Sequence, residues 1–124
     1  MSTRSNAEAD SNTVLIVEDE YFIAMEVKRA LTEGGFAVLG PVSTVDDALR
    51  IINDQRPFAA VLDVTLENEM VTPVANLLTS MKVPFVLTSA LHESELERHP
   101  TLRDVPTLGK PTDLGRLISA LRSL

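Results

Sequence analysis

Four places in this sequence put chemically capable residues directly after a short apolar run. The run at 14–17 is followed by Glu18, Asp19 and Glu20, the run at 59–62 by Asp63, and the run at 83–87 by Thr88 and Ser89. A weaker run at 105–108 leads through Gly109 to the pair Lys110-Pro111. If each run is a strand of one parallel sheet, these residues gather at its carboxyl end, where open α/β sheets bind their ligands. Converging carboxylates repel one another, and each raises the cost of ionising the next, so something cationic must offset them. An all-oxygen donor set without His or Cys points to a hard ion, and Mg²⁺ with several retained waters fits it. Asp63 is then a candidate nucleophile, because a carboxylate can accept a phosphoryl group as an acyl phosphate. Charge on the transferring phosphoryl oxygens must be neutralised from several sides. Mg²⁺, the Lys110 ammonium and the Ser89 hydroxyl would each take one.

The elements needed to position these residues can be read from the apolar pattern. A fifth run at 37–42 completes a set of five short, β-branched stretches in which apolar residues are consecutive, as in a sheet covered on both faces. Between them lie helical patterns. In 20–33, Ile23, Val27, Ala30 and Leu31 share a face and Gly34-Gly35 supplies the stop. Thr44 is placed to cap a helix carrying Ala48, Leu49 and Ile52, with Asp46 and Asp47 favourable in its first turn. Residues 73–81 align Val74, Leu77, Leu78 and Met81, and Thr112 is expected to cap a last helix carrying Leu114, Leu117, Ile118 and Leu121. The stretch 92–103 is mostly charged, has only Leu96 and Leu102 as anchors and is broken by Pro100, which predicts a short, mobile helix. Alternating β and α units with short connections imply parallel strands joined by right-handed crossovers, an α/β sandwich of five strands.

Composition narrows the class further. A chain of 124 residues, 44% hydrophobic, can bury one real core. Residues 1–12 hold almost nothing that can be buried and read as a disordered lead-in, leaving 13–124 as the single domain. A net charge of −7 disfavours direct nucleic-acid binding, and the lack of cysteine excludes disulfides, thiolate metal sites and a cysteine nucleophile. No apolar run approaches the length of a membrane span, and no secretory leader is evident, so a soluble cytoplasmic domain is expected. Neither GxxxxGK[ST] nor GxGxxG occurs, so no nucleotide loop is read. His92 and His99 lie in the most polar stretch and read as surface histidines, and Tyr21 reads as packing at the rim of the acidic cluster. Asp63 resists such a bland reading, because a carboxylate ending a central apolar strand is costly without a partner.

In this order, and each at a strand end, the residues resemble the receiver domain of two-component response regulators over 13–124. The resemblance is carried by Glu18-Asp19 in VLIVEDE, Asp63 in AAVLDV, Ser89-Ala90 in PFVLTSA and Lys110-Pro111 in LGKP. It implies a doubly wound, flavodoxin-like parallel sheet with strand order 2-1-3-4-5 and a cis Lys110-Pro111 bond. It also implies Mg²⁺ held by Asp19, Asp63 and the backbone carbonyl of Thr65, with Glu18 acting through water. By resemblance the phosphoryl group comes to Asp63 from the phosphohistidine of a sensor histidine kinase or a histidine phosphotransfer protein. The domain would then assist its own phosphorylation and dephosphorylation without being an enzyme, acting as an interaction switch, a relay or a phosphate sink. Its downstream target would be another protein.

Some positions depart from the family pattern. The loop after the phosphoacceptor reads VTLENEM, with Glu67 where many members have Pro, and no Gly. The position three before the lysine, aromatic in many members, is Thr107, and the segment from Asp63 to Ser89 is a few residues short, which predicts a short third helix. These features resemble a subgroup of stand-alone alphaproteobacterial regulators with a PFxFATGY-like motif, whose kinases are of the HWE or a related type. The departures also sustain an alternative, a pseudo-receiver that works by phosphorylation-independent protein binding. A phosphatase-like hydrolase would need a second Asp two residues after Asp63, where Thr65 stands.

Overall fold

A computed structural model describes residues 12–91 and 93–124. The expected disorder of 1–11 and the reading of His92 therefore fall outside the described residues. Asn12, counted with the lead-in, is tied down: its carbonyl accepts from Ala37 N at 3.0 Å and its amide donates to Gly35 O at 3.1 Å.

Five parallel strands form the sheet: β1 (Thr13–Val17), β2 (Ala37–Val42), β3 (Ala59–Asp63), β4 (Phe85–Ser89) and β5 (Thr107–Gly109), in the order β2-β1-β3-β4-β5. Every residue of β1, β3 and β4 is buried, because these three central strands are covered on both faces. The alternation of side chains along them separates two cores. Leu15, Val17, Ala60, Leu62 and Leu87 face one side, against helices α2 (Val45–Asp54) and α3 (Thr72–Ser80). Val14, Ile16, Ala59, Val61 and Val86 face the other, against α1 (Tyr21–Glu33) and α5 (Leu114–Arg122).

Several expectations need correction. Neither β2 nor β5 has a fully buried residue, since each is an edge of the sheet. The ladders of β4 and β5 begin after Pro84 and Pro106 rather than at Val83 and Val105, because proline has no N–H to give; each proline carbonyl still accepts from the neighbouring strand. Asp113, not Thr112, caps α5, its Oδ1 accepting from Arg116 N at 3.1 Å. An anion there also suits the positive end of the helix. The stretch 64–70, read as a loop, contains a two-strand antiparallel hairpin, Thr65–Leu66 with Glu69–Met70, turned at Glu67-Asn68. Helix α1 buries Ala24, Val27 and Leu31, so Ile23 and Ala30 lie at the margin of its stripe.

Other expectations match. Thr44 caps α2 through Asp47 N at 3.1 Å, and α3 is short, with nine residues. Helix α4 (Glu93–Leu96) has only four residues, and Leu96 and Leu102 anchor this segment in the core. Lys110-Pro111 is cis; so is Gly40-Pro41, which the sequence did not signal. Gly40 has φ +92°, and a Cβ there would sit 2.9 Å from Val42 N, so the chain requires glycine where the β1–β2 register shifts. Among the described residues no helix is long and apolar enough to cross a membrane.

Candidate functional site: an acidic cluster at the carboxyl end of the sheet

The ends of β1 and β3 meet a lysine that follows β5. Asp63 closes β3 and is 4% exposed; Glu18 follows β1 and is 6% exposed. Lys110, one residue beyond β5, reaches both, with Nζ 3.0 Å from Asp63 Oδ2 and 3.3 Å from Glu18 Oε1. The other Glu18 oxygen, Oε2, accepts from Glu20 N at 3.0 Å, so both of its oxygens are engaged. Asp19 is half-buried beside them, and Glu18, Asp19 and Asp63 each offer an oxygen within 4.8 Å of the others. Backbone bonds hold the strand ends in place: Glu18 N donates to Val42 O, Val64 N to Thr88 O and Lys110 N to Ser89 O, at 2.9, 3.0 and 3.1 Å.

The electrostatics follow from burial. The Glu18 carboxyl is raised from 4.5 to about 7, chiefly by burial and also by the neighbouring Asp63, against the opposing pull of the Glu20 N–H and Lys110. Burial also raises Asp63, against the pull of Lys110. For Lys110, burial acts to lower the pKa, but the contacts with Asp63 and Glu18 outweigh it and hold the ammonium charged. Three carboxylates thus cluster around one another, and a single ammonium contacts two of them. The surplus negative charge and the all-oxygen donor set fit a hard divalent cation.

The remaining predicted residues are placed less directly. Ser89 is 3% exposed and pairs with Gly109 across β4 and β5, and its Oγ accepts from Leu91 N at 2.9 Å. Thr65 has an exposed side chain, but its N donates to Asp63 Oδ1 at 3.4 Å, which brings its backbone to the site. Tyr21 does not pack at the rim: it is 68% exposed and meets the Phe22 ring edge-on at 5.6 Å. Thr107 is exposed and donates to Val105 O at 2.9 Å. A surface cavity of about 850 Å³ lies at the amino ends of β4 and β5 among residues such as Pro84, Phe85 and Pro106. None of Glu18, Asp19, Asp63 and Lys110 lines that cavity.

Sequence reasoning aimed Lys110 at a phosphate and missed its contact with Glu18; the pair is 92 residues apart, with no local signal. It also missed Glu69, whose Oε2 accepts from Val45 N, the first amide of α2, at 3.1 Å.

No protein-family profile matches the chain. Among solved structures, SdrG from Sphingomonas melonis Fr1 is 34% identical, with a TM-score of 0.77, and the match covers 97% of this chain and 98% of SdrG. A response regulator receiver protein from Sinorhizobium medicae shares the fold, with a TM-score of 0.81 at 23% identity, covering 93% of this chain and 94% of that one. A curated relative, the transcriptional regulatory protein PdtaR of Mycobacterium tuberculosis, is 27% identical over 110 residues, 87% of this chain and 54% of PdtaR. The chain spans about half the length of the curated relatives it matches.

Proposed function

The chain belongs to the receiver-domain family of response regulators, and on that premise we propose that it accepts a phosphoryl group on Asp63 from a phosphohistidine. The observation that carries this reading is the Asp63–Lys110 contact of 3.0 Å at the end of the central strand, with Glu18 and Asp19 beside it. In the transfer, an Asp63 oxygen forms a bond to phosphorus as the phosphorus–nitrogen bond breaks, and the histidine leaves with a proton on its nitrogen. Hydrolysis reverses the charge: water attacks phosphorus, the acyl-phosphate bond breaks, and inorganic phosphate departs from a regenerated carboxylate. Lys110 is placed to follow this change, passing one N–H from the Asp63 carboxylate to a phosphoryl oxygen while another stays on Glu18. Ser89 Oγ accepts from Leu91 N, which leaves its own proton to be donated to a second phosphoryl oxygen.

Mg²⁺ bound by Asp19, Asp63 and the Thr65 carbonyl would supply Lewis-acid charge to the phosphoryl oxygens. With both oxygens of Glu18 already engaged, its support of that ion through water is favoured over direct ligation. The chain would promote its own phosphorylation and dephosphorylation without turning over a separate substrate. Its partners would be a sensor histidine kinase, of HWE or related type, or a histidine phosphotransfer protein, and a downstream protein target, all within the cytoplasm.

Intact-mass measurement after incubation with acetyl phosphate and Mg²⁺ tests the proposal. One phosphoryl increment is expected, lost in Asp63→Asn and strongly reduced in Lys110→Ala. A wild-type chain that stays unmodified would leave the pseudo-receiver as the reading. Label persisting in Asp63→Asn would place the acceptor elsewhere.

A further inference from the structure

The hairpin that follows Asp63 lies between the phosphoacceptor and the first turn of α2, with which it shares one core. Its first strand begins at Thr65, whose N–H reaches Asp63 Oδ1; its second strand holds Met70 opposite Thr65 and Glu69 opposite Leu66. The stretch 64–70 contains no proline, so no ring restrains its backbone. The first strand is anchored by Leu66, which is 1% exposed, and by Val64 N on Thr88 O. For the second strand, Glu69 provides a bond outside the hairpin: its Oε2 accepts from Val45 N at 3.1 Å, 24 residues away. Val45 is the first residue of α2, so that N–H is one of the helix's orphan donors, and a carboxylate there is also favoured by the helix dipole.

We infer that Glu69 is a positioning residue: its carboxylate pins the hairpin's second strand to the first turn of α2 and thereby holds the Thr65 backbone against Asp63. The inference rests on the proposal that the Thr65 carbonyl faces the bound cation. Thr44 is the internal control, since its Oγ1 accepts a bond from the same helix terminus, at Asp47 N, a bond that does not involve the hairpin.

The test compares Glu69→Ala, Glu69→Gln and Thr44→Ala by amide hydrogen exchange in the metal-free protein and by titration with magnesium chloride followed by NMR. In Glu69→Ala, exchange at residues 65–70 is expected to rise about fivefold and Mg²⁺ affinity to fall about threefold, the scale of one lost partly exposed cap bond. Glu69→Gln keeps an acceptor oxygen at the same reach and should recover most of both. Thr44→Ala should leave both unchanged, although it weakens α2. The inference is overturned if Glu69→Ala leaves exchange at 65–70 at the wild-type rate, or if Thr44→Ala raises it equally. A wild-type chain with no response to Mg²⁺ overturns the metal-ligand reading, and with it the purpose assigned to Glu69.

Discussion

β3 and β5 contribute the two oppositely charged groups that meet in the site, and they are built differently. All five residues of β3 are buried, the strand runs between β1 and β4, and Asp63 is its last residue. β5 has three residues, none of them buried, lies at the edge of the sheet and follows a segment held by Leu96 and Leu102. Lys110 nevertheless closes to 3.0 Å on Asp63 from that lighter side. A nucleophile has to be held in place, because small displacements from the line of attack cost rate. A counter-charge that follows the negative charge from a carboxylate to a phosphoryl group has to move. The buried strand suits the first requirement, and the edge strand suits the second.

Paired truncations of the two strands provide the strongest challenge to this contrast. Leu62→Ala opens a cavity in the centre of the core, where Leu62 is 0% exposed, and should cost about 2–5 kcal/mol. Leu108→Ala, at a half-buried position on the edge strand, should cost under about 1.5 kcal/mol, since part of its surface is already wet. Urea unfolding of both variants measures the difference. Equal losses would mean that β5 is as firmly built as β3, and the division of labour would fail.

A smaller effect comes from the charges. Glu18 titrates near 7 in the folded chain against an ordinary 4.5, so between those values the folded state holds more protons than the unfolded state. That stability is complete below about 4.5 and lost as pH rises through about 7, and Asp63 acts in the same direction. Lys110 is shifted upward from 10.5 and stays charged throughout this window. In EDTA the melting temperature should therefore fall by several degrees from about pH 5 to about pH 8, at roughly 4 °C per kcal/mol for a domain of this size. Addition of Mg²⁺ should restore it at the higher pH and do little at the lower, and Glu18→Gln should flatten the metal-free profile. A melting temperature that rises through the window in EDTA would show that the carboxylates are not in conflict.

The same contrast explains what the sequence could disclose. Central strands and site residues were legible together, because β1, β3 and β4 are uninterrupted apolar runs and the residue after each run is chemically distinct. The edges were harder to read. In β5, Val105 looks like part of a strand, but Pro106 delays the ladder to Thr107. The hairpin at Thr65–Leu66 and Glu69–Met70 has two residues on each side, too few for alternation to stand out from loop composition. Asp113 was readable as a cap, since it immediately precedes Leu114, but Thr112 has the same local credentials and only the backbone geometry chooses between them. The bonds from Glu69 to α2 and from Lys110 to Glu18 depend on the tertiary arrangement, which no local pattern encodes.

The smallest expected effect concerns how a change at Asp63 leaves the site along the lighter side. Thr107, on β5, is exposed, and its hydroxyl is bonded to Val105 O, so it has neither the size nor the freedom to sweep between buried and exposed positions as a large ring would. Ser89 has the better connection. Its Oγ accepts from Leu91 N, and withdrawal of the hydroxyl toward a phosphoryl group would release that amide at the entry to α4. Beyond it, the residues from Glu93 to Arg103 are held by Leu96 and Leu102, the kind of sparsely anchored segment that opens and closes at low cost. Hydrogen exchange on the free and beryllofluoride-treated protein should therefore show altered protection in 93–103, by a few-fold, with β3 unchanged. Thr107→Tyr should add nothing to that response if the Ser89–Leu91 bond is the route, whereas Ser89→Ala should abolish it while leaving Asp63 and its metal ligands in place. Changes confined to α1 or to 64–70 would move the output to the firmly built side and break the comparison.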